Sequence, residues 1–410
     1  MTPAKEKRAI EQSSDGDALG RICGRPEVRT ALEWVVENEH RIRKWQMDVT
    51  EVPAPPFGEA KRARWLKKKF SELRLRHVHI DEAGNVLGAR PGTNDRPAVA
   101  IAAHMDTVFA AGTPVEIRES KGKLYGPGIS DNGSGLAALL AAAGALEAAR
   151  VQTESPIMFI ATAGEEGEGD LRGIRHVFKA NSDQIGATLV VDGAGTETIV
   201  TRALGSTRFE VTLNGPGGHS WTDFGEPNPI AVLANAIANF YGVEPPRANG
   251  RRSAYNIGMI QGGTSVNSIP QSVTMRVDLR SESADEIAAL EKKLNQCIAS
   301  ALSASNNGSS RVTSQIRRIG DRPAAELKPG ARILEVVQAV DAKLGIKSRV
   351  HCSSTDANIP LSLGKEALSI GAGGAGAGAH TLGEWFDPAN REVGLKRILL
   401  SVLLLARLPE

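Results

Sequence analysis

The feature that most constrains this chain is an apolar run, Ala98 to Ala103, that ends abruptly in His104-Met105-Asp106. A run of Val, Ile and Ala this short reads as a strand buried on both faces. Residues two apart on an extended backbone point to the same side. His104 and Asp106 therefore project together from the carboxyl end of a strand, where open α/β sheets place their ligands. A neutral imidazole holds a metal best when its other nitrogen donates to a carboxylate, and Asp106 stands near enough to serve. A lone His-x-Asp is more readily a satisfied strand-end histidine, so the pattern gains meaning only if other strands end the same way.

Two others do. Pro156 to Ala161 is a second buried strand and runs into Thr162-Ala163-Gly164-Glu165-Glu166-Gly167, while Thr188 to Val191 ends in Asp192-Gly193. Adjacent glutamates at an interior strand end are poorly explained as a solvated face. Between these strands, a glycine-rich stretch from Leu124 to Gly135 carries Asp131 and leads into an Ala/Leu-rich helix, Leu136 to Ala149. Taken alone, Asp131-Asn132-Gly133 is a turn and helix cap. Near the end of the chain, Gly371 to Ala379 forms a glycine-rich wall expected to bring His380 inward. Gly371, Gly373 and Gly376 match a GxGxxG pattern, but no helix opens there, so a dinucleotide site is set aside.

The rest of the chain supplies the frame. Pro26 to Trp45 and Glu59 to Leu73 read as helices, joined by the extended Val52-Pro53-Ala54-Pro55-Pro56. From Leu204 the texture changes to strand, helix, two strands, helix and strand, through about Ile319. That order is the split βαβ sandwich. The expected fold class is α/β: a doubly wound, mainly parallel sheet domain with an inserted ferredoxin-like α+β domain. The expected boundaries are a polar tail at 1–19, the sheet domain at 20–203 and 321–410, and the insert at 204–320.

Composition excludes several classes. With 49 basic and 47 acidic residues the net charge is +2, which gives no argument for nucleic acid or a membrane surface as partner. Cys23, Cys297 and Cys352 are scattered, which excludes a disulfide framework or a cysteine zinc site and fits a reducing compartment. The first eighteen residues hold no apolar segment of a secretory signal, and no apolar run is long enough to span a bilayer. A cytoplasmic protein is expected. The basic face of the second helix reads as solvated surface, and His40, His77, His79, His176 and His351 read as structural.

Two imidazoles, His104 and His380, and three carboxylates, Asp131, Glu166 and Asp192, suit two borderline metal ions with one carboxylate shared. Zinc fits best, with cobalt or manganese possible. Glu165 cannot easily ligate the ion that Glu166 holds, and a carboxylate left free there is a natural general base. These residues, in this order, resemble the di-zinc exopeptidase and amidohydrolase family that holds peptidase T, glutamate carboxypeptidase, acetylornithine deacetylase, succinyl-diaminopimelate desuccinylase and aminoacylase. The resemblance implies two zinc ions per subunit: one on His104 and Asp192, the other on Glu166 and His380, with Asp131 bridging. It also implies that Asp106 orients His104, that Glu165 is the base, and that His219 stabilises the oxyanion in the partner subunit of a homodimer. The fold it implies is a doubly wound catalytic domain, here 20–203 and 321–410, interrupted by a dimerisation domain, here the insert at 204–320. Asn267 and Arg280 resemble the family's substrate-binding positions, although a surface ion pair explains Arg280 equally well.

The expected activity is hydrolysis of an amide or peptide bond in a small substrate, a short peptide or an N-acyl amino acid. Within the resemblance, aspartate at position 192 is associated with aminopeptidases, which favours a peptidase-T-like enzyme over a deacylase or carboxypeptidase. A catalytically inert metal-binding dimer would have no need of Glu165.

Overall fold

A computed structural model describes residues 14–247, 250–306 and 310–409. The chain divides into two compact units, one reaching Ala203 and resuming at Glu326, the other spanning Leu204–Ala325.

The first unit is built on a mixed sheet of β1 (Arg76–Ile80), β2 (Val86–Arg90), β3 (Ala98–His104), β4 (Ile157–Thr162), β5 (Ile185–Val191), β6 (Thr198–Ala203), β7 (Arg349–Ser353) and β8 (Glu366–Ile370). The spatial order is β1-β2-β4-β3-β5-β8-β6, with β7 beside β6. Four central strands, β4-β3-β5-β8, are mutually parallel, so their carboxyl ends share one edge. In β3 all seven residues are buried, as expected of a strand covered on both faces.

Helices Pro26–Glu37, Glu39–Thr50, Gly133–Ala148 and Arg391–Ala406 pack together, and the last two lie against β3. Gly133–Ala148 is buried from Gly133 through Leu146, which its Ala/Leu composition permits. The single helix expected over Pro26 to Trp45 is in fact two, broken at Asn38, where φ is −99° and ψ is 19°. A further helix, Ser14–Gly24, occupies part of what reads in sequence as a polar tail; residues 1–13 lie outside the described set. Strand β7 stops at Ser353, and helix Asn358–Ser362 follows.

The second unit is a four-stranded antiparallel sheet of Gly205–Asn214, Ser253–Gly262, Ser272–Ser281 and Thr313–Arg322. Ser253–Gly262 lies at one edge and Thr313–Arg322 at the other, which is the ferredoxin-like order. Helices Pro229–Tyr241 and Ala284–Ser305 cover one face, with Phe209, Val211, Leu213, Leu233, Phe240, Met275, Leu290 and Leu294 in the core between them. Asn228 caps the first of these helices through Ile230 N. Among the described residues, no helix is long and apolar enough to cross a membrane.

Candidate metal centre

Three of the four parallel strands end by delivering a polar side chain to the shared edge. His104 is the last residue of β3, Asp192 follows β5, and Glu165 and Glu166 follow β4 within four residues. His380 comes from the loop beyond β8, and Asp131 from the turn before helix Gly133–Ala148.

The geometry turns on Asp131. Its Oδ1 lies 3.0 Å from His104 Nε2, and its Oδ2 lies 3.2 Å from His380 Nε2. Asp192 Oδ1 stands 3.6 Å from His104 Nε2, and Glu166 Oε1 stands 2.8 Å from His380 Nε2. Two ligand groups therefore meet at Asp131: His104, Asp131 and Asp192 on one side, and Asp131, Glu166 and His380 on the other. His104, Glu165 and Glu166 form a third group.

The electrostatics of this cluster call for positive charge. Burial alone would lower the His104 pKa, but Asp131 and Asp192 overcome it and hold the imidazole well above its ordinary value. Asp131 and Glu166 push His380 up to about 10. Burial would raise Asp131, yet hydrogen bonds from both histidines keep it below the usual carboxylate range. Burial, reinforced by repulsion from Asp131, raises Asp192. Protons on the imidazoles thus do the neutralising that divalent cations would do better. A set of imidazole nitrogens and carboxylate oxygens, converging and buried, fits a pair of zinc ions.

Supporting contacts hold these groups in place. Asp106, fully buried, accepts backbone N–H bonds from Glu165 at 2.9 Å and Glu166 at 2.7 Å. The carboxylate expected to orient His104 is therefore occupied by the glutamate turn, and its Oδ1 is 3.8 Å from His104 Nδ1, beyond hydrogen-bond reach. The Asp106 carbonyl meets that nitrogen instead, at 3.1 Å. Asn132 caps its helix through Gly135 N at 3.0 Å, and its side chain also reaches Val191 O at 2.9 Å and Gly193 N at 3.2 Å, on either side of Asp192. Gly135 permits this approach, since a Cβ there would lie 2.6 Å from the Val191 carbonyl.

Two supporting residues have no recognisable sequence signal. Glu384, fully buried, accepts N–H bonds from Gly128, Ser130 and Asp131, tying the loop of Asp131 to the segment that carries His380. Arg62 belongs to the helix whose basic residues read as solvated surface, yet it is fully buried. Its guanidinium donates to the carbonyls of Thr50, Val52 and Met105, the last lying between His104 and Asp106.

In the second unit, Gly218–His219 pairs with Ser268–Ile269, and Asn267 O accepts a bond from Ser220 N at 3.0 Å, so the loops of His219 and Asn267 adjoin. His219 Nδ1 accepts from Trp221 N at 3.2 Å and from Thr222 N at 3.4 Å, which leaves Nε2 as the nitrogen bearing hydrogen. Arg280 Nε donates to Asp278 Oδ2 at 2.7 Å, the surface ion pair considered from sequence.

Residues 100–403 match the family model described as peptidase family M20/M25/M40. The uncharacterized protein YqjE of Bacillus subtilis is 24% identical over 353 residues, covering 82% of this chain and 91% of that protein. Succinyl-diaminopimelate desuccinylase of Nitrosospira multiformis is 30% identical over 248 residues, covering 56% and 63%. The crystal structure of aminopeptidase PepT from Bacillus cereus has the same fold, with a TM-score of 0.73 and 21% identity over 90% of this chain and 99% of that one.

Proposed function

The chain belongs to peptidase family M20/M25/M40 and is a zinc-dependent hydrolase of small amide or peptide substrates; from that premise we propose that it is an aminopeptidase that releases the N-terminal residue of short peptides. The observation that carries the hydrolytic reading is the placing of Asp131 between two imidazoles, one carboxylate oxygen to each. His104 and Asp192 would hold one zinc ion and Glu166 and His380 the other, with Asp131 shared. When bound, such a pair supplies an activated water and polarises the scissile carbonyl.

The remaining work falls to side chains of this chain. Glu165, only 4% exposed and with its backbone pinned by Asp106, is suited to take a proton from the attacking water and pass it to the leaving amine. The His219 imidazole, whose Nδ1 accepts from the backbone and whose Nε2 therefore carries the hydrogen, is suited to donate to the oxyanion of the tetrahedral intermediate. Asn267 and Arg280 are the proposed substrate-binding residues. Arg280 serves there only if its remaining N–H groups engage a carboxylate beside the Asp278 pair.

The insert from residue 204 to 320 is the proposed dimerisation domain, with His219 serving the partner subunit of a homodimer. Strand Ser253–Gly262 supports this: it is an edge strand, and it exposes Met259 and Ile260, as an edge awaiting a symmetric partner would.

Asp192 and the likeness to PepT favour the aminopeptidase. The desuccinylase relative, at 30% identity, favours a second reading in which an N-acyl group is removed. Acetylating the amine of a tripeptide separates them. An aminopeptidase loses the acetylated peptide as substrate; cleavage of that peptide as fast as the free one replaces this reading with a deacylase or carboxypeptidase.

A further inference from the structure

One buried carboxylate next to the ligand set has no part in the mechanism above. Asp356 lies between β7 and helix Asn358–Ser362 and is 1% exposed. Its loop is closed locally by Thr355 N to Asn358 Oδ1 at 2.9 Å and Ala357 N to Thr355 Oγ1 at 3.1 Å, so Asp356 is not needed for the turn. Its Oδ2 accepts the hydroxyl of Thr162, while its Oδ1 is buried with no hydrogen-bond partner among the described residues. Burial pushes its pKa up to about 7, and His104, Asp106 and Asp192 all lie close enough to influence it. A buried carboxyl with one oxygen unpartnered opposes folding. Its presence next to the ligands calls for a functional explanation.

Thr162 supplies one. It is the last residue of β4 and stands in register with His104 of β3. Its carbonyl accepts Met105 N at 2.8 Å, so its backbone is already tied to the His104–Asp106 segment. Three residues on, the chain reaches Glu165 and Glu166. The Thr162 side chain is fully buried and gives its hydroxyl to Asp356.

We propose that Asp356 is a positioning residue of the hydrolytic site, acting through the Thr162 hydroxyl to fix the strand end from which Glu165 and Glu166 depart. The inference rests on the reading that this turn carries a zinc ligand and the base. It assigns Asp356 no contact with substrate.

The test combines Asp356→Ala, Asp356→Asn, Thr162→Val and the double variant Thr162→Val/Asp356→Ala. Zinc affinity is read by competition with a chromophoric chelator, and kcat and KM on a tripeptide with a free amine. Removing a residue that supports metal ligands costs roughly 10–100-fold in metal affinity or activity. Asp356→Ala and Thr162→Val should each lose that much in zinc affinity and in kcat, with KM changed little. The double variant should be no worse than the worse single one. Asp356→Asn keeps an oxygen for the Thr162 hydroxyl and should stay within about threefold of wild type, well inside the loss expected on removal.

Wild-type zinc affinity and kcat in Thr162→Val overturn the proposal, as do losses that multiply in the double variant or an Asn variant as damaged as the Ala one. Because Thr162→Val only exchanges a hydroxyl for a methyl group of similar size, it decides the matter even if Asp356→Ala fails to fold. A wild-type protein inactive on the tripeptide would count against the aminopeptidase reading alone, and the zinc affinities would still decide this one.

Discussion

The Glu384 carboxylate accepts the backbone N–H of Asp131 at 2.7 Å, although 253 residues separate the two in sequence. Through this bond, and those to Gly128 and Ser130, the segment of His380 and the loop of Asp131 are held as one piece. Glu384→Ala would leave three N–H groups without their acceptor, each costing roughly 1–3 kcal/mol where it stays buried and unpaired. The expected outcome is a lower Tm and a 10–100-fold loss in zinc affinity. Glu384→Gln, which keeps one carbonyl oxygen, should fall between that variant and wild type. Differential scanning fluorimetry and chelator competition read both effects.

The two adjacent glutamates should separate cleanly. Glu165→Ala is expected to keep both zinc ions and substrate affinity while losing turnover by about 10²–10⁴-fold, the usual worth of a positioned acid–base group. Glu166→Ala is expected to lose zinc. Metal analysis beside steady-state kinetics distinguishes them, and equal zinc loss in both would reverse the assignment.

Assembly can be tested by complementation. If His219 serves the partner's site, inactive His219→Ala and inactive Glu165→Ala should regain activity on mixing and subunit exchange. A quarter of wild-type activity is about the most expected, since in a one-to-one mixture about half the dimers are hybrid and each has one intact site. A fully active monomer in analytical ultracentrifugation would exclude this role.

The metal-free protein should respond to pH in a defined direction. Asp131 and Glu166 raise His380 to about 10, and His104 is raised as well. A raised folded-state pKa stabilises the fold fully below the unfolded value, near 6.5 for histidine, and that contribution is lost as pH climbs through about 10. Thermal unfolding of the metal-free protein should therefore show a declining Tm from pH 7 to 10. Zinc uptake at pH 7 should release protons from both imidazoles. Titration calorimetry in buffers of different ionisation enthalpy measures that release.

The strand ends could be read from sequence because burial and chemistry there conflict: a run such as Ala98 to Ala103 has no packing reason to finish in histidine. The inserted unit was legible for a similar reason, since alternating strands and amphipathic helices follow one another in an order with few foldings. The supporting residues were not legible. Glu384 and Asp356 act on backbone groups or hydroxyls far away in sequence, and nothing local marks a carboxylate that accepts distant N–H or O–H groups. Arg62 was hidden among neighbouring basic residues that do face outward, because helical spacing shows which residues share a face but not how deeply one reaches. Spacing along one strand puts Asp106 near His104, but its oxygens go to the Glu165–Glu166 backbone, a competition that such spacing does not reveal.

Anomalous diffraction from crystals of the zinc-loaded protein, collected on both sides of the zinc edge, shows whether Asp131 is shared by two zinc ions, one with His104 and Asp192 and one with Glu166 and His380. Two peaks are expected, flanking the Asp131 carboxylate and roughly 3.5–4 Å apart as in other two-metal hydrolytic sites. A single peak, or a pair of peaks that leaves Asp131 uncoordinated, would contradict that sharing.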